Sequence, residues 1–394
     1  MAETPFNSST NTALIQTVLA KQAMVWARDN CYFSIPKGFS AKQKEAMPHT
    51  SPDPNKEVGM MENGTNAIFT IKDELKKQPG ETIQVRILAP LTGEGAVDDQ
   101  TLEGNEEELQ YYVETVTVHQ RRNASMVKGM SERRTKVPVR TDARDNLALW
   151  YSEKFDRDCL LSLSGLGLAI GTPAVNVVTA SAPSTNRKWF GGQTTGGVLE
   201  STGTHALIDS ATNNIFGTAV ISAMKRKAQM AGAGFPKIRP LLIKGQPWYV
   251  MFIHPYQSKA LKNEAAWKSA QQYANLRGET NPLFSGALGV FDGVIIHEYD
   301  KIETRLGAGG TDPTEYFDVS TDVCYSGIYV ARALLCGCQA GLMGNAQEVG
   351  WEEQRKDYGN TWGVAIESIW GAQKTVFNSE DYGVIAVNTA IVPD

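Results

Sequence analysis

Charge is sorted by sign along one stretch of this 394-residue chain, and the sorting constrains its fold more than any short motif does. From Thr92 to Leu109 the carboxylates Glu94, Asp98, Asp99, Glu103, Glu106, Glu107 and Glu108 occur without a Lys or Arg. From Arg121 to Arg144 the sign reverses: Arg121, Arg122, Lys128, Arg133, Arg134, Lys136, Arg140 and Arg144 stand against only Glu132 and Asp142. Strand patterns bracket the acidic segment. Ile83, Val85 and Ile87 alternate with Thr82, Gln84 and Arg86. Between Tyr111 and Gln120, Val116 and Val118 alternate with Thr115, Thr117 and His119, again the period of a half-buried strand. A helix is then predicted from Arg140 to Ser164. Ala143, Leu147, Tyr151, Phe155, Cys159 and Leu163 recur every four residues, with Asp145, Glu153, Lys154, Asp156 and Arg157 mostly on other faces. At 1.5 Å per residue this helix is roughly 37 Å long, far beyond the average of about 11 residues. An acidic-tipped hairpin, a basic segment and a long amphipathic helix describe a projecting arm that lies on something basic. The same segment of a neighbouring copy is one candidate.

The chain is long enough for two or three domains with proper cores. A hydrophobic fraction of 42% with 21% charge is globular, not disordered. A formal net charge of -5 argues against a dedicated nucleic-acid binder, which carries a basic face. No apolar run approaches the roughly 18 residues of a membrane span, and Met1 to Thr12 reads as neither a secretory signal nor a transit peptide. Cys31, Cys159, Cys324, Cys336 and Cys338 have no framework spacing, and Cys336-Gly-Cys338 is one residue short of a CxxC pair. Reduced, buried cysteines of a cytoplasmic product are expected.

Asn11 to Asn30 has helical spacing of Leu14, Val18, Leu19, Val25 and Trp26. Cys31 to Asn66, with Pro36, Pro48, Pro52 and Pro54, reads as an extended arm to be ordered by a partner surface. Gly165, Gly167 and Gly171 end the long helix; their spacing is wrong for a phosphate loop. Thr172 to Gly203 reads as loops, and Asp209 to Ala231 as a helix with a basic end. Strands are predicted at Ile238–Ile243 and Trp248–His254, a helix at Pro255–Arg277, and a buried strand within Gly286–Glu298. Gly307 to Gly310 is a flexible loop. The small, apolar run Ile328–Gly344 is expected to be a core helix, and the aromatic-small alternation after Tyr358 suggests sheet strands.

No catalytic constellation rises above background: no Walker loop, no HExxH, no GxSxG elbow. His119, His254 and His297 lie in strand signals, where a histidine is usually structural. His297 and Glu298 with Asp300 could be drawn as an acid-base cluster, but strand neighbours point to opposite faces. Asp98-Asp99 and Glu106 to Glu108 could collect cations, yet a hairpin tip lacks the fixed ligand geometry of a calcium loop. No cofactor, metal or enzymatic activity is expected.

Several segments resemble the major capsid protein family of N-four-type podoviruses. They are Met24-Val-Trp-Ala-Arg-Asp29, Leu88-Ala-Pro-Leu-Thr-Gly-Glu-Gly95, Thr101-Leu-Glu-Gly-Asn-Glu-Glu107 and Phe377-Asn-Ser-Glu-Asp-Tyr-Gly-Val-Ile385. The most specific is Asn281-Pro-Leu-Phe-Ser-Gly-Ala-Leu-Gly-Val-Phe-Asp-Gly-Val-Ile-Ile-His-Glu298. The resemblance implies an α+β chain with the Hong Kong 97-like phage capsid fold. Residues 1–66 would be an N-terminal arm and 67–125 the E-loop region, its hairpin at Thr82 to Gln120. Residues 126–166 would hold the P-domain spine helix, 167–349 the A-domain with intervening P-domain parts, and 350–394 C-terminal strands.

It further implies pentamers and hexamers closing an icosahedral shell around double-stranded DNA bound without sequence specificity, with no membrane. The shell would be assembled in the host cytoplasm, with a portal, a scaffolding protein and in some cases a cement protein as partners. The sequence lacks a long charged helical extension acting as built-in scaffold, so a separate scaffolding protein, or none, is expected. The charge sorting then predicts inter-subunit contacts between Asp98, Asp99, Glu103, Glu106, Glu107 and Glu108 and the basic set Arg121, Arg122, Arg133, Arg134, Arg140 and Arg144. Two rivals stand beside this reading. One is an encapsulin-like compartment on the same fold; the other is a lidded enzyme with its site near His254, His297 and Asp300.

Overall fold

A computed structural model describes residues 31–33, 40–42, 66–76, 79–88, 95–98, 100–101, 103–104, 106–108, 111–128, 134, 139–165, 169–170, 175–176, 183–191, 208, 214–230, 237–243, 246–274, 288–300, 302, 304–306 and 329–391. Strands β1 (Ser40–Lys42) and β2 (Phe69–Lys72) precede β3 (Thr82–Leu88), β4 (Tyr111–Thr117) and β5 (His119–Lys128). The long helix α1 (Val139–Ser164) follows, then β6 (Ala169–Ile170), β7 (Val175–Asn176), β8 (Lys188–Phe190) and helix α2 (Thr218–Gln229). Next come β9 (Leu241–Ile243), β10 (Gln246–Ile253), α3 (Pro255–Asn263), α4 (Ala265–Ala274), β11 (Gly289–Phe291), β12 (Val294–Glu298) and β13 (Thr304–Leu306). The chain closes with β14 (Tyr329–Cys336), β15 (Gly341–Lys356), β16 (Thr361–Lys374), β17 (Val376–Phe377), β18 (Glu380–Asp381) and β19 (Val384–Ile391).

Two sheets carry the body. An 8-stranded sheet runs β11-β12-β10-β14-β19-β8, with β9 on β10 and β13 on β14. A 5-stranded sheet runs β1-β2-β15-β16-β5. In β10, alternation sends Val250 and Phe252 to one core and Tyr249, Met251 and Ile253 to the other. The second core lies under α2, α3 and α4, through Val220, Ile221, Met224, Leu261 and Trp267. Helix α1 ties the sheets together. Its first half lays Ala143, Leu147 and Tyr151 on Val127, Trp351, Val364 and Ile366 of the 5-stranded sheet. Its second half sends Cys159, Leu160 and Leu163 into the core of Phe69, Phe252 and Leu334. Each such large apolar side chain contributes about 1.5–3 kcal/mol by burial.

Several sequence expectations are corrected. The predicted core helix at Ile328–Gly344 is instead β14, a turn through Gln339 (φ 57) and the start of β15. These strands are covered on both faces, so apart from Arg332, which bonds Asn388 and the Ser164 carbonyl, the residues of β14 form an apolar run, and periodicity cannot separate that from a buried helix. Within Thr172–Gly203, read as loops, β8 forms the sheet edge beside β19. The helix expected at Asp209–Ala231 starts at Thr218, after the extended Gly217. That expected at Pro255–Arg277 is broken at Glu264, whose carboxylate accepts from the Thr218 N–H at 2.7 Å and the Thr218 hydroxyl at 2.6 Å, capping α2.

The arm also differs. Phe33 is buried with Phe69 and Phe252, and Ser40–Lys42 pairs in parallel with β2. Residues 31–33 are thus seated on the chain's own body, with Cys31 and Phe33 buried there. The helix at Asn11–Asn30, the loop at Gly307–Gly310 and most of the arm lie outside the described residues.

Candidate inter-subunit surface

Strands β3 and β4 pair antiparallel from Thr82↔Thr117 to Leu88↔Tyr111. The root of this hairpin is buried: Ile83, Val85 and Val116 pack with Leu342, and Leu75 leans on them. Further out Val113 is 54% exposed, and at the tip Val97 is 60% exposed. Asp98, Glu103, Glu106, Glu107 and Glu108 are exposed, whereas Asp99 lies outside the described residues. The tip is shaped locally. Gln100 N–H bonds the Val97 carbonyl at 3.2 Å, Asp98 has a left-handed φ of 52°, and the Glu106 carboxylate accepts from Gly104 N–H at 2.7 Å. An isolated two-stranded ribbon is marginal in water, so the root carries the stability and the tip is presented to solvent.

The basic residues do not share one surface. Neighbours on a strand point to opposite faces, and β5 separates Arg121 from Arg122. Arg121 turns toward α1, where its Nη1 lies 2.5 Å from the Asp158 carboxylate, with side chains only 7% and 1% exposed. Burial outweighs the guanidinium and raises the Asp158 carboxyl to about 6, against the attraction of Arg121, Arg157 and Lys154. Arg122 points the other way and is exposed. Arg144 is half-buried beside Asp145, Nη2 to Oδ1 2.6 Å, and Arg134 is exposed. Arg140 lies in α1, and Arg133 is outside the described residues.

The 5-stranded sheet has an open face. Gln120, Arg122, Ala124, Met126 and Lys128 are all exposed, on the side of β5 away from α1. Register places Glu367 beside Arg122, Ala365 beside Ala124 and Gly363 beside Met126. Ala124, Ala365 and Gly363 leave this face with little relief; Arg122 and Lys128 bring cations to it, Glu367 and, by strand parity, Glu352 bring carboxylates, and Met126 is 62% exposed.

Sequence reasoning missed the roles of Asp156 and Asp158, two of the four aspartates of α1. Asp156 accepts from the backbone N–H of Tyr32 at 2.7 Å and of Phe33 at 3.0 Å, and so clamps the N-terminal segment to the helix. The available signal was that Asp156 and Asp158 sit in a stretch whose neighbours Phe155, Cys159, Leu160 and Leu161 are apolar around the helix. A carboxylate there must find a partner.

His297 serves packing and His254 capping. His297 is buried with its ring 5.7 Å from Tyr32 and 6.0 Å from Phe252. Glu298, on the opposite face, accepts from the Ser258 hydroxyl at 2.5 Å. His254 caps α3, its Nδ1 accepting from Tyr256 N–H at 3.3 Å. Burial holds its imidazole below the usual range, against Asp300 and Glu298. Among the described residues no group of His, Cys, Asp and Glu could hold a metal ion, and no helix is long and apolar enough to cross a membrane.

Two sheets bridged by one long helix, with an exposed hairpin that leaves the body, define a shell-building subunit of the Hong Kong 97-like class. The chain belongs to the Phage capsid protein family, whose sequence profile matches residues 40–393. It is 29% identical over 352 residues to the major capsid protein of Pseudomonas phage KPP25, covering 83% of this chain and 89% of that protein. Among solved structures it is similar to the capsid of Ralstonia phage GP4, with a TM-score of 0.67 and 26% identity over 83% of this chain and 88% of that one. The capsid of cyanophage Pam1 has the same fold, with a TM-score of 0.64 and 22% identity over 90% and 97% of the two chains.

Proposed function

We propose that this chain is the major capsid protein of a tailed phage, which self-assembles as pentamers and hexamers into the icosahedral shell around double-stranded DNA. The match to phage capsid proteins along most of the chain carries the reading. Relatives that are virus capsids favour a viral shell over an encapsulin-like compartment. Histidines engaged in packing and capping leave a lidded enzyme without support. The chain is then a structural protein without catalysis or cofactor, assembled in the host cytoplasm and resident in the virion. Its partners are itself, a portal, a scaffolding protein, in some shells a cement protein, and the genome, bound without sequence specificity. A net charge of -5 supports the last point, because a basic lining would grip phosphates that must move during packaging.

In the assembled shell the acidic tip (Asp98, Asp99, Glu103, Glu106, Glu107, Glu108) lies over basic residues of an adjacent copy. Arg122, with Lys128, belongs to the open sheet face; Arg133, Arg134, Arg140 and Arg144 follow it in sequence. Arg121 drops out of the set, because its guanidinium is buried against Asp158. One exposed ion pair is worth only about 0–1 kcal/mol, but a network repeated at every interface sets register and orientation. Expression of the chain followed by negative-stain microscopy and sedimentation tests both levels. Closed shells are expected from the wild type, and Glu106→Lys with Glu107→Lys and Glu108→Lys together should leave unassembled subunits. Wild-type subunits that never form shells, with or without a scaffolding protein, would refute the function. Normal shells from the charge-reversed tip would refute the contact.

A further inference from the structure

We propose that Gly344 and Gly371 are positioning residues: together they form a side-chain-free seat that fixes the angle at which the β3–β4 hairpin leaves the body. The two are direct cross-strand partners in the β15–β16 ladder. Glycine weakens a strand interior and marks close approach of another backbone. Here the approach is visible. A Cβ on Gly371 would lie 1.9 Å from the carbonyl oxygen of Thr117, 2.9 Å from its carbon and 3.2 Å from Val118 Cα. Thr117 and Val118 form the joint where β4 passes into β5. A Cβ on Gly344 would meet Ile83 Cδ1 at 2.9 Å and Val118 Cγ1 at 3.1 Å.

Neither glycine has a left-handed φ, so space, not backbone conformation, demands it. The seat has a second fastening on the same face: the Gln373 side chain, two residues beyond Gly371, donates to the Glu114 carboxylate on β4. Leu342, paired with Gln373, joins Ile83, Val85 and Val116 beneath the root.

The geometry makes the hairpin a lever. Strand β3 has 7 residues, roughly 20 Å at about 3.3 Å per residue, and the acidic tip lies beyond its end. A backbone shift of about 1 Å at the seat, the least that relieves so close a contact, is enlarged at the tip. The inference rests on the proposal that the tip contacts an adjacent copy; it adds that register at that contact is set at the root.

The test uses full-length chains, read by subunit melting temperature and by yield and diameter of shells in sedimentation and microscopy. Gly350→Ala is the control. It lies in β15, and its new Cβ would meet neighbours only at 3.6 Å. Gly371→Ala should fold but give about tenfold fewer shells of normal diameter than the control, the effect of roughly 1.4 kcal/mol on the contact; Gly344→Ala, whose Cβ meets only side-chain ends, should show a smaller loss. Adding Ile83→Val, which removes the clashing Cδ1, should restore shells to Gly344→Ala; no side-chain change relieves the backbone contact at Gly371. Shells at control yield from both glycine variants would overturn the inference. So would a Gly344→Ala defect, in folding or assembly, that Ile83→Val leaves unrelieved. The tip contact is judged separately: its failure appears as normal assembly of the charge-reversed tip, whatever the glycine variants do.

Discussion

Arg121 and Asp158 face each other in the dry seam between β5 and α1, and replacing one, then both, reads out what that seam contributes. At 2.5 Å and an effective dielectric of about 20 their attraction is about 7 kcal/mol. Removing two ions from water costs several kcal/mol each. The pair therefore adds little net stability, and the elevated Asp158 carboxyl says the same, since burial outweighs the cation beside it. Breaking the pair is another matter. Arg121→Met leaves a carboxylate only 1% exposed without its counter-ion, an uncompensated charge that costs about 3–5 kcal/mol. Asp158→Leu strands the guanidinium to a similar extent. The double variant Arg121→Met with Asp158→Leu fills the seam with apolar volume and should lie near the wild type or as much as about 1–4 kcal/mol above it. Urea unfolding of unassembled subunits at neutral pH gives the four corners of the cycle. Single variants that lose less than about 1 kcal/mol, or a double variant that loses the sum of the singles, would refute the reasoning.

The same group sets a pH dependence. A carboxyl raised to about 6 from an ordinary 3.8 takes up a proton in the folded subunit first, so its contribution is full below the ordinary value and is lost as pH rises through 6. Lowering the pH from 7.5 to 5 should stabilise the wild type relative to Asp158→Asn by about 1.4 kcal/mol, one unit's worth; comparing the two cancels the opposing loss at His254, whose lowered imidazole charges on unfolding. An identical slope in wild type and variant would contradict this. Asp156→Ala should release the N-terminal segment, costing about 1–3 kcal/mol for each backbone donor left without its carboxylate. Amide exchange at Tyr32 and Phe33 should accelerate while that of α2 does not, and unchanged exchange there would count against the clamp.

What the sequence made legible follows from periodicity and charge. The hairpin strands and the first half of α1 are readable because they carry a one-sided apolar pattern: the long helix is expected from Arg140 and runs Val139–Ser164, its end from Asp158 buried all round. The run from Tyr329 to Gly344 is not, because covering both faces of a strand erases the alternation that would identify it. Arg121 shows a different limit. As composition it belongs to the basic cluster; strand parity alone sends it inward to Asp158 and leaves Arg122 outside. The partner that decides its role lies 37 positions away on another element, and spacing along one chain carries no trace of that pairing. Gly344 and Gly371 are illegible for the same reason, since what needs their missing side chains is the backbone at Thr117 and Val118.

These features divide the labour of a shell subunit. The body is closed by long-range packing: α1 spends its apolar residues on two sheets, and residues 31–33 fill part of the same core. None of that burial depends on the tip of the hairpin, so tip and body can change independently. The tip offers charge and a few apolar side chains, and exposed charge is weak pair by pair. Weak contacts let a misplaced subunit leave before the shell closes. They cannot also supply register, because solvated side chains on a swinging ribbon would pair in many ways. Register must come from stiffness at the root, where a buried apolar cluster and two glycines let backbone press on backbone. On the proposed tip contact, specific assembly by reversible pairing requires a stiff joint, and the close backbone approach at Thr117 supplies one.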